Sequence, residues 1–267
     1  MASKVAVLGA AGCIGSILTK YLQSDGYEVL PVTRDVLNLN DSYDVKNWLI
    51  ENRPDVVINC ATAGGKLTVN DIIYEDIQNN TAIFLNFYNN SDLFGKFINV
   101  GSGAEFDMSR DLNQVSETEI LTSSPTTSYG YSKNIIARWT LTKDNFYTLR
   151  LFGCFDPSEP EFRLLKRCMT QDTLTVENKQ FDFISAKDYY QVVKHYVNNQ
   201  VSIKDINCVY QEKYDLLTIL EKFVSYHNLN IDIVSTTSGK NYTGNSDRLA
   251  SLNLPLEGLE LGLKNYK

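Results

Sequence analysis

This sequence predicts an α/β fold with a doubly wound parallel sheet and a small C-terminal lobe, on three observations. Short apolar runs recur at residues 5–8, 29–32, 56–59, 97–100 and 147–152, and helical patterns lie between most of them. Such alternation is the signature of strands linked by crossover helices. Directly after the first run stands Gly9-Ala-Ala-Gly12-Cys-Ile-Gly15, which opens an amphipathic helical pattern. Finally, 267 residues with 43% hydrophobic content can bury one large core plus an appended lobe.

The glycine run has the context that a dinucleotide-binding turn requires, between a buried strand and a helix. Gly9 allows the tight turn, Gly12 lets the backbone approach a pyrophosphate, and Gly15 lets the helix starting near Cys13 pack closely on the strand. The anion then sits on free N–H groups at the positive end of that helix, with Ala11 and Ile14 beside it. The fold is therefore expected to be of the Rossmann type. Asp41 is placed to cap a helix that runs to Asn52, with Pro54 closing it. Ile83, Phe84 and Phe87 have helical spacing within residues 80–90, and the strand holding Ile98 follows. The polar stretch 123–128 reads as a substrate-facing loop that ends in a helix cap.

Beyond residue 153 the pattern loosens. Helical stretches at 162–169, 188–198 and 216–227 are separated by strand-like pieces at 173–176 and 231–234. Part of this region is expected to complete the sheet and part to form the small lobe.

A formal net charge of −7 leaves no global basic field to attract nucleic acid or an anionic membrane, so phosphates must be met by local Arg and Lys. Met1-Ala2-Ser3-Lys4 passes straight into a strand pattern without an apolar signal region, and no apolar stretch reaches about 18 residues. These features predict a cytoplasmic protein without a membrane partner. Cys13, Cys60, Cys154, Cys168 and Cys208 show no paired short spacing and read as reduced thiols. With only His195 and His227 and no Cys-x-x-Cys, no metal site is expected, and both histidines read as structural.

Tyr129-Gly-Tyr-Ser-Lys133 sets a phenol and an ammonium at i and i+4, on one face of a helix. A neighbouring cation favours a phenolate, which suits a tyrosine for proton transfer near neutral pH. Ser102 closes the fourth apolar run, and Tyr131 is out of register with Lys133.

With the glycine turn, Ser102 and the Tyr129/Lys133 pair in view, the chain resembles the extended short-chain dehydrogenase/reductases, the NAD-dependent epimerase/dehydratase family. Members largely act on nucleotide-activated sugars. The resemblance covers nearly the whole chain and is clearest over residues 4–157. It implies Ser102, Tyr129 and Lys133 as the catalytic set. Thr33-Arg34-Asp35-Val-Leu-Asn-Leu-Asn-Asp41 and Asn59-Cys-Ala-Thr-Ala-Gly64-Gly65 are similar to the GDP-fucose synthase subfamily. Pro54-Asp-Val-Val-Ile-Asn59 and Phe106-Asp107 are similar to dTDP-4-dehydrorhamnose reductases. Both subfamilies reduce a 4-keto sugar on a nucleoside diphosphate.

The resemblance further implies an NADP-binding Rossmann domain over residues 1–153, its sheet completed by later segments, and a discontinuous substrate lobe within 154–267. Arg34 lies where the family meets the 2′-phosphate of NADPH, and Val32-Thr33-Arg34 lacks the acidic residue that usually holds an NAD ribose. Asp35 could turn toward that ribose. Leu39 and Asn40 correspond to the adenine wall, Cys60, Ala61 and Ala63 to the turn after the third strand, and Asn80 to an asparagine that orders the site. In Arg150-Leu-Phe-Gly-Cys-Phe-Asp-Pro157, Phe152 belongs to a turn over the nicotinamide, and Gly153 replaces the family's usual asparagine. Ser102, Gly103 and Ala104 face the substrate by the same resemblance. Arg163, Lys166, Arg167 and Arg248 are the candidate cations for its diphosphate. Asp182-Phe183 resembles an Arg-Asp-Phe motif in which Phe181 has taken the arginine's place.

GDP-fucose synthases use a cysteine soon after the serine and a lobe histidine for epimerisation. Ala104 stands at that cysteine position, and no histidine lies between Phe155 and Lys194. The expectation is an NADPH-dependent reductase of the 4-keto group of a nucleotide-activated, GDP-linked deoxysugar, hexose or heptose, without epimerase activity, working in surface polysaccharide synthesis. Alternatives are a bifunctional epimerase/reductase, a dTDP-4-dehydrorhamnose reductase-like enzyme, a 4-epimerase or 4,6-dehydratase on the same scaffold, or a non-catalytic NADP-binding regulator. Family members commonly pair through the Tyr-Lys helix, so a homodimer is expected, with Ile135, Ile136 and Trp139 serving that interface or the core.

Overall fold

In the computed structural model, residues 3–64 and 73–267 are described. Gly65, quoted in the resemblance, lies outside them. The first half alternates strand and helix: β1 (Lys4–Leu8), α1 (Cys13–Ser24), β2 (Glu28–Val32), α2 (Ser42–Asn52), β3 (Val56–Asn59), α3 (Tyr74–Tyr88) and β4 (Lys96–Ser102). There follow β5 (Leu112–Val115), α4 (Ser128–Thr140), β6 (Phe146–Leu151) and β7 (Cys154–Phe155). The remainder is α5 (Leu164–Thr170), β8 (Thr173–Asn178), β9 (Ile184–Ser185), α6 (Ala186–Asn198), β10 (Asp205–Asn207), α7 (Leu216–His227), β11 (Asp232–Ser238), β12 (Tyr242–Gly244), α8 (Asp247–Ser251) and α9 (Leu259–Lys264).

Six strands form one parallel sheet in the order β10-β6-β4-β3-β1-β2. The chain moves from β1 outward to β2 and then crosses back to add β3 on the other side. That reversal opens a crevice at the carboxyl ends of β1 and β3, the place where Rossmann-type sheets receive their ligands.

Side chains alternate along β1. Val5 and Val7 join a core with Ile17, Leu18, Tyr189 and Val193 of α1 and α6, and Ala6 and Leu8 join the opposite core with Val45, Phe84 and Ile136 of α2, α3 and α4. Burial on both faces explains why these strands read as unbroken apolar runs. Asp41 accepts the N–H groups of Tyr43 and Asp44 at 2.9 and 3.0 Å, a cap worth about 1 kcal/mol. Phe84, Phe97 and Phe146 pack ring on ring, with Phe97 and Phe146 stacked at 4.8 Å. Asn80, Phe84 and Phe87 lie at i, i+4 and i+7, so the face that anchors α3 also carries Asn80 inward.

The strand-like pieces near 173 and 231 pair with each other as β8 and β11, apart from the main sheet. With α5, α7 and α9 they enclose a separate core around Leu174, Ile219, Phe223 and Leu263. The sixth sheet strand is β10, three residues long, too short to show a period in the sequence. β12 pairs with β5 and so brings the lobe back over the end of β4. Among the described residues no helix is long and apolar enough to cross a membrane.

Candidate active site

The glycine loop is built as a cradle. Gly9 has φ +72°, and its N–H and that of Ala10 donate to the Val32 carbonyl, tying the turn to β2. A Cβ on Gly9 would stand 2.9 Å from the Ala61 backbone, so the loops after β1 and β3 meet there. At Gly15 a Cβ would come within 2.2 Å of the Gly9 carbonyl oxygen. Gly12 precedes α1 with no side-chain cap, which leaves the first-turn N–H groups to a ligand.

A cleft of about 770 Å³ extends from this loop, lined by Gly9, Ala11, Gly12, Arg34, Leu39, Asn40, Cys60, Ala61 and Ala63 among others. Cys13, Ile14 and Gly15 lie just behind, in the first turn of α1. Asp35 is occupied locally, its carboxylate accepting the Thr33 hydroxyl at 2.5 Å, which also holds its pKa below the usual value. The Arg34 side chain is exposed at the cleft and makes no ion pair among the described residues. The cradle, the uncapped helix end and this cation fit a dinucleotide.

Asn80 is 3% exposed and works behind the cleft wall. Its Oδ1 accepts the Ala63 N–H at 2.6 Å, and its Nδ2 donates to the Ala63 carbonyl and to Ser132 Oγ, both at 3.1 Å. One amide thus fixes the loop after β3 against α4.

Thr127 caps α4 by accepting the Gly130 N–H at 3.0 Å, and the helix then presents Tyr129 and Lys133 one turn apart. Lys133 is buried, donates from Nζ to the Val100 carbonyl at 2.8 Å, and stands 5.9 Å from the Tyr129 ring centre. Cys60 feels the Lys133 charge, yet burial dominates and pushes the thiol up to about 12. Tyr131 points elsewhere and is exposed.

Ser102 ends β4 and starts a tight turn, its Oγ accepting the Ala104 N–H at 3.2 Å. Its own N–H donates to Glu105 Oε1 at 2.8 Å. The other Glu105 oxygen accepts Arg150 Nε at 2.6 Å, and Arg150 also reaches Asp205 at 2.8 Å and Asn207 at 2.9 Å. Glu105 and Arg150 are fully buried, so the backbone at Ser102, the end of β4, is tied to an ion-pair network below it. Burial raises the Glu105 and Asp205 carboxyls, with Arg150 opposing.

A second hollow, about 510 Å³, lies between the sheet edge and the lobe. Phe152, Phe162, Phe181, Phe183 and Tyr242 form its aromatic walls. Arg110, Arg163, Arg167, Lys179 and Lys240 line it against a single carboxylate, Glu159. Arg163 is shared with Glu159 and the Cys154 carbonyl, whereas the Arg167 side chain has no hydrogen-bond or ion-pair partner among the described residues. Arg110 and Lys179 are themselves paired, with Glu119 at 2.8 Å and Glu177 at 3.4 Å.

None of Ser102, Tyr129 and Lys133 lines either hollow. Ser102 ends β4, the next residue, Gly103, meets Tyr242 of the cavity wall, and Lys133 reaches the Val100 carbonyl of the same strand.

Several sequence expectations land elsewhere. Arg248 is held by the Asp205 carbonyl at 2.6 Å and lies 3.6 Å from Glu117, away from the cavity lining. Lys166 rests over the Tyr266 ring at 5.7 Å and also lies outside the lining. Phe152 faces the second cavity rather than the dinucleotide cleft. Gly103 and Ala104 are buried at the turn, so their side-chain positions are closed to solvent. Tyr242, Arg110, Lys179 and Lys240 carry no spacing signal, because tertiary pairing alone brings them to the cavity.

Residues 5–208 match the NAD dependent epimerase/dehydratase family, and the chain belongs to it. Its fold is shared by the Campylobacter jejuni GDP-mannoheptose C4 reductase with NADP bound, at a TM-score of 0.84 and 18% identity over 99% of this chain and 97% of that one. The Bacillus anthracis dTDP-4-dehydrorhamnose reductase in complex with NADP superposes at 0.83 with 16% identity, over 100% and 98% of the two chains. A Naegleria fowleri GDP-L-fucose synthetase bound to NADP gives 0.80 and 17%, over 99% and 91%. A spore coat polysaccharide biosynthesis protein of Bacillus subtilis is 37% identical over 59 residues, a stretch spanning 22% of this chain and 21% of that protein.

Proposed function

We propose that the protein is an NADPH-dependent reductase of the 4-keto group of a nucleotide-activated deoxysugar, hexose or heptose, GDP-linked by preference, serving surface polysaccharide synthesis. What supports this reading is the Tyr129/Lys133 pair of α4, with Lys133 bonded to β4 just ahead of Ser102, in a fold whose glycine loop opens a cleft and whose lobe encloses a cavity rich in cations and aromatic rings. The similar reductases with NADP bound support the same cofactor and substrate class.

When bound, the nicotinamide supplies a hydride to the carbonyl carbon. Ser102 donates a hydrogen bond to the carbonyl oxygen, and Tyr129 gives its phenolic proton to that oxygen as the alkoxide forms, leaving an alcohol. Lys133 offsets the charge left on Tyr129. Arg34 takes the 2′-phosphate and the first turn of α1 takes the pyrophosphate. Arg163 and Arg167 hold the substrate diphosphate.

Arg34→Ala is expected to weaken NADPH binding at least tenfold and to leave NADH binding within twofold, read by fluorescence titration. Equal losses would remove Arg34 from the phosphate site.

Two observations favour reduction alone. The Ala104 methyl is buried, and no histidine lines the cavity: His227 meets the Leu263 carbonyl at 2.8 Å and His195 neighbours Asn199 at the end of α6. A dehydratase needs an acidic pair beside the serine, and the nearby Glu105 is committed to Arg150. Reaction in deuterium oxide is expected to leave C3 and C5 of the product unlabelled by NMR. The test of the whole reading is NADPH oxidation against GDP-, dTDP-, UDP- and CDP-linked 4-keto hexoses and heptoses, with NMR assignment of the product. Oxidation with none of them would overturn it.

A further inference from the structure

Tyr242 comes from β12, late in the chain, yet its hydroxyl stands at the end of β4. It stands over Gly103, the residue that follows the proposed catalytic Ser102. A Cβ built on Gly103 would lie 2.6 Å from the Tyr242 hydroxyl oxygen and 2.7 Å from its Cζ, so the space that Gly103 leaves is the space the phenol fills. Its ring packs on Phe152 at 5.0 Å and on Phe181 at 5.3 Å.

A Cβ on Gly153 would come within 2.6 Å of Phe181 Cε1, so the space that Gly153 leaves is filled by the Phe181 ring. Phe181 and Tyr242 pack at 5.3 Å and so build one wall, with Tyr242 as its inner edge.

The backbone holds that edge firmly. The Tyr242 N–H donates to the Gln180 carbonyl at 2.9 Å, and its carbonyl accepts the Asp182 N–H at 3.2 Å. Asp182 accepts the Gly244 N–H at 2.8 Å and is paired with Lys213 at 2.9 Å, both side chains nearly buried. Burial pushes the phenol above the ordinary tyrosine range, which keeps it a proton-bearing donor throughout the physiological range. A fixed donor beside Ser102, facing the hollow that carries the cations, is placed to read the sugar ring.

We propose that Tyr242 is a substrate-contacting residue that donates a hydrogen bond to a sugar oxygen beside the reacting carbonyl and so sets the orientation of the ring over Ser102 and Tyr129. This assignment rests on the reductase reading above. It makes Tyr242 a determinant of sugar recognition, separate from nucleotide recognition by the cations at the outer part of the cavity.

The test uses Tyr242→Phe, which keeps the ring and its packing. Binding to the NADP-loaded protein is measured by calorimetry for a nucleoside diphosphate and its hexose conjugate, GDP with GDP-mannose and dTDP with dTDP-glucose. Turnover is measured with the 4-keto sugar that the substrate panel selects. In the wild-type protein the hexose conjugate is expected to bind at least fivefold tighter than the bare diphosphate. Tyr242→Phe is expected to bring the two within twofold while leaving diphosphate affinity unchanged, and to lower kcat/KM at least tenfold. A variant that keeps both the affinity ratio and kcat/KM within twofold of wild type would overturn the proposal. An equal loss for diphosphate and conjugate would overturn it too, because that marks a structural role. A wild-type protein that neither binds nor reduces any of the panel would overturn the reductase reading, and this proposal with it, a result distinct from the other two.

Discussion

Tyr129→Phe is expected to lower turnover by about 10²–10⁴-fold, the usual contribution of a positioned proton donor, while NADPH binding stays within twofold. Hydride arrival at a carbonyl carbon leaves charge on oxygen, and a proton must meet it there. Tyr129 is the half-buried phenol that α4 holds one turn from the Lys133 ammonium, with that ammonium 5.9 Å from the ring centre. The variant keeps the ring, so the loss separates chemistry from packing. Single-turnover oxidation of NADPH with the selected 4-keto sugar measures it. Tyr131→Phe is the internal control, since its ring is exposed and it should behave as wild type. Turnover of Tyr129→Phe within tenfold of wild type would move the proton donor elsewhere, and Tyr242 would be the next phenol to test.

What could be read from the sequence is what local spacing encodes. Gly9, Gly12 and Gly15 follow a strand, and Tyr129 and Lys133 lie one helical turn apart, so their juxtaposition needs no knowledge of the tertiary fold. The central strands were readable because burial on both faces makes them continuous apolar runs. The cavity was not. Its inner wall is made where β12 pairs with β5 and where Phe181 bridges to Tyr242, contacts between segments separated by up to about 130 residues. Nothing in Asn241-Tyr-Thr-Gly announces that its tyrosine will stand over Gly103.

Charged residues are hard to place from sequence for a related reason, since a cation's partner is set by topology. Arg248 looked available to a diphosphate and is instead drawn to the foot of β10. Arg150 sat inside a cofactor-turn pattern, and the structure buries it completely among carboxylates.

That burial makes Arg150→Met the most destabilising substitution expected in the core of the site. Removing one partner of a buried pair costs about 3–5 kcal/mol, because the other partner is left uncompensated. Here two carboxylates, Glu105 and Asp205, lose their guanidinium at once. For a chain of this size the melting temperature should fall by roughly 10 °C. Glu105→Gln should cost less, as Arg150 keeps Asp205 and the amide oxygen can still accept from Ser102. The loss should also depend on pH, with a definite sign. Burial already raises both carboxyls and Arg150 opposes it, so the folded-state values rise further once the arginine is gone. A carboxyl whose folded value lies above its unfolded one favours folding most below the unfolded value, and loses that contribution as pH rises through the folded value. The gap between Arg150→Met and wild type should therefore be smaller at pH 5 than at pH 8, measured by thermal melts across that range. A gap that widened on acidification would mean that Glu105 and Asp205 are not the groups Arg150 neutralises. Turnover should fall as well, since Glu105 holds the backbone of Ser102 at 2.8 Å and any shift of its carboxylate moves the serine hydroxyl away from the reacting oxygen.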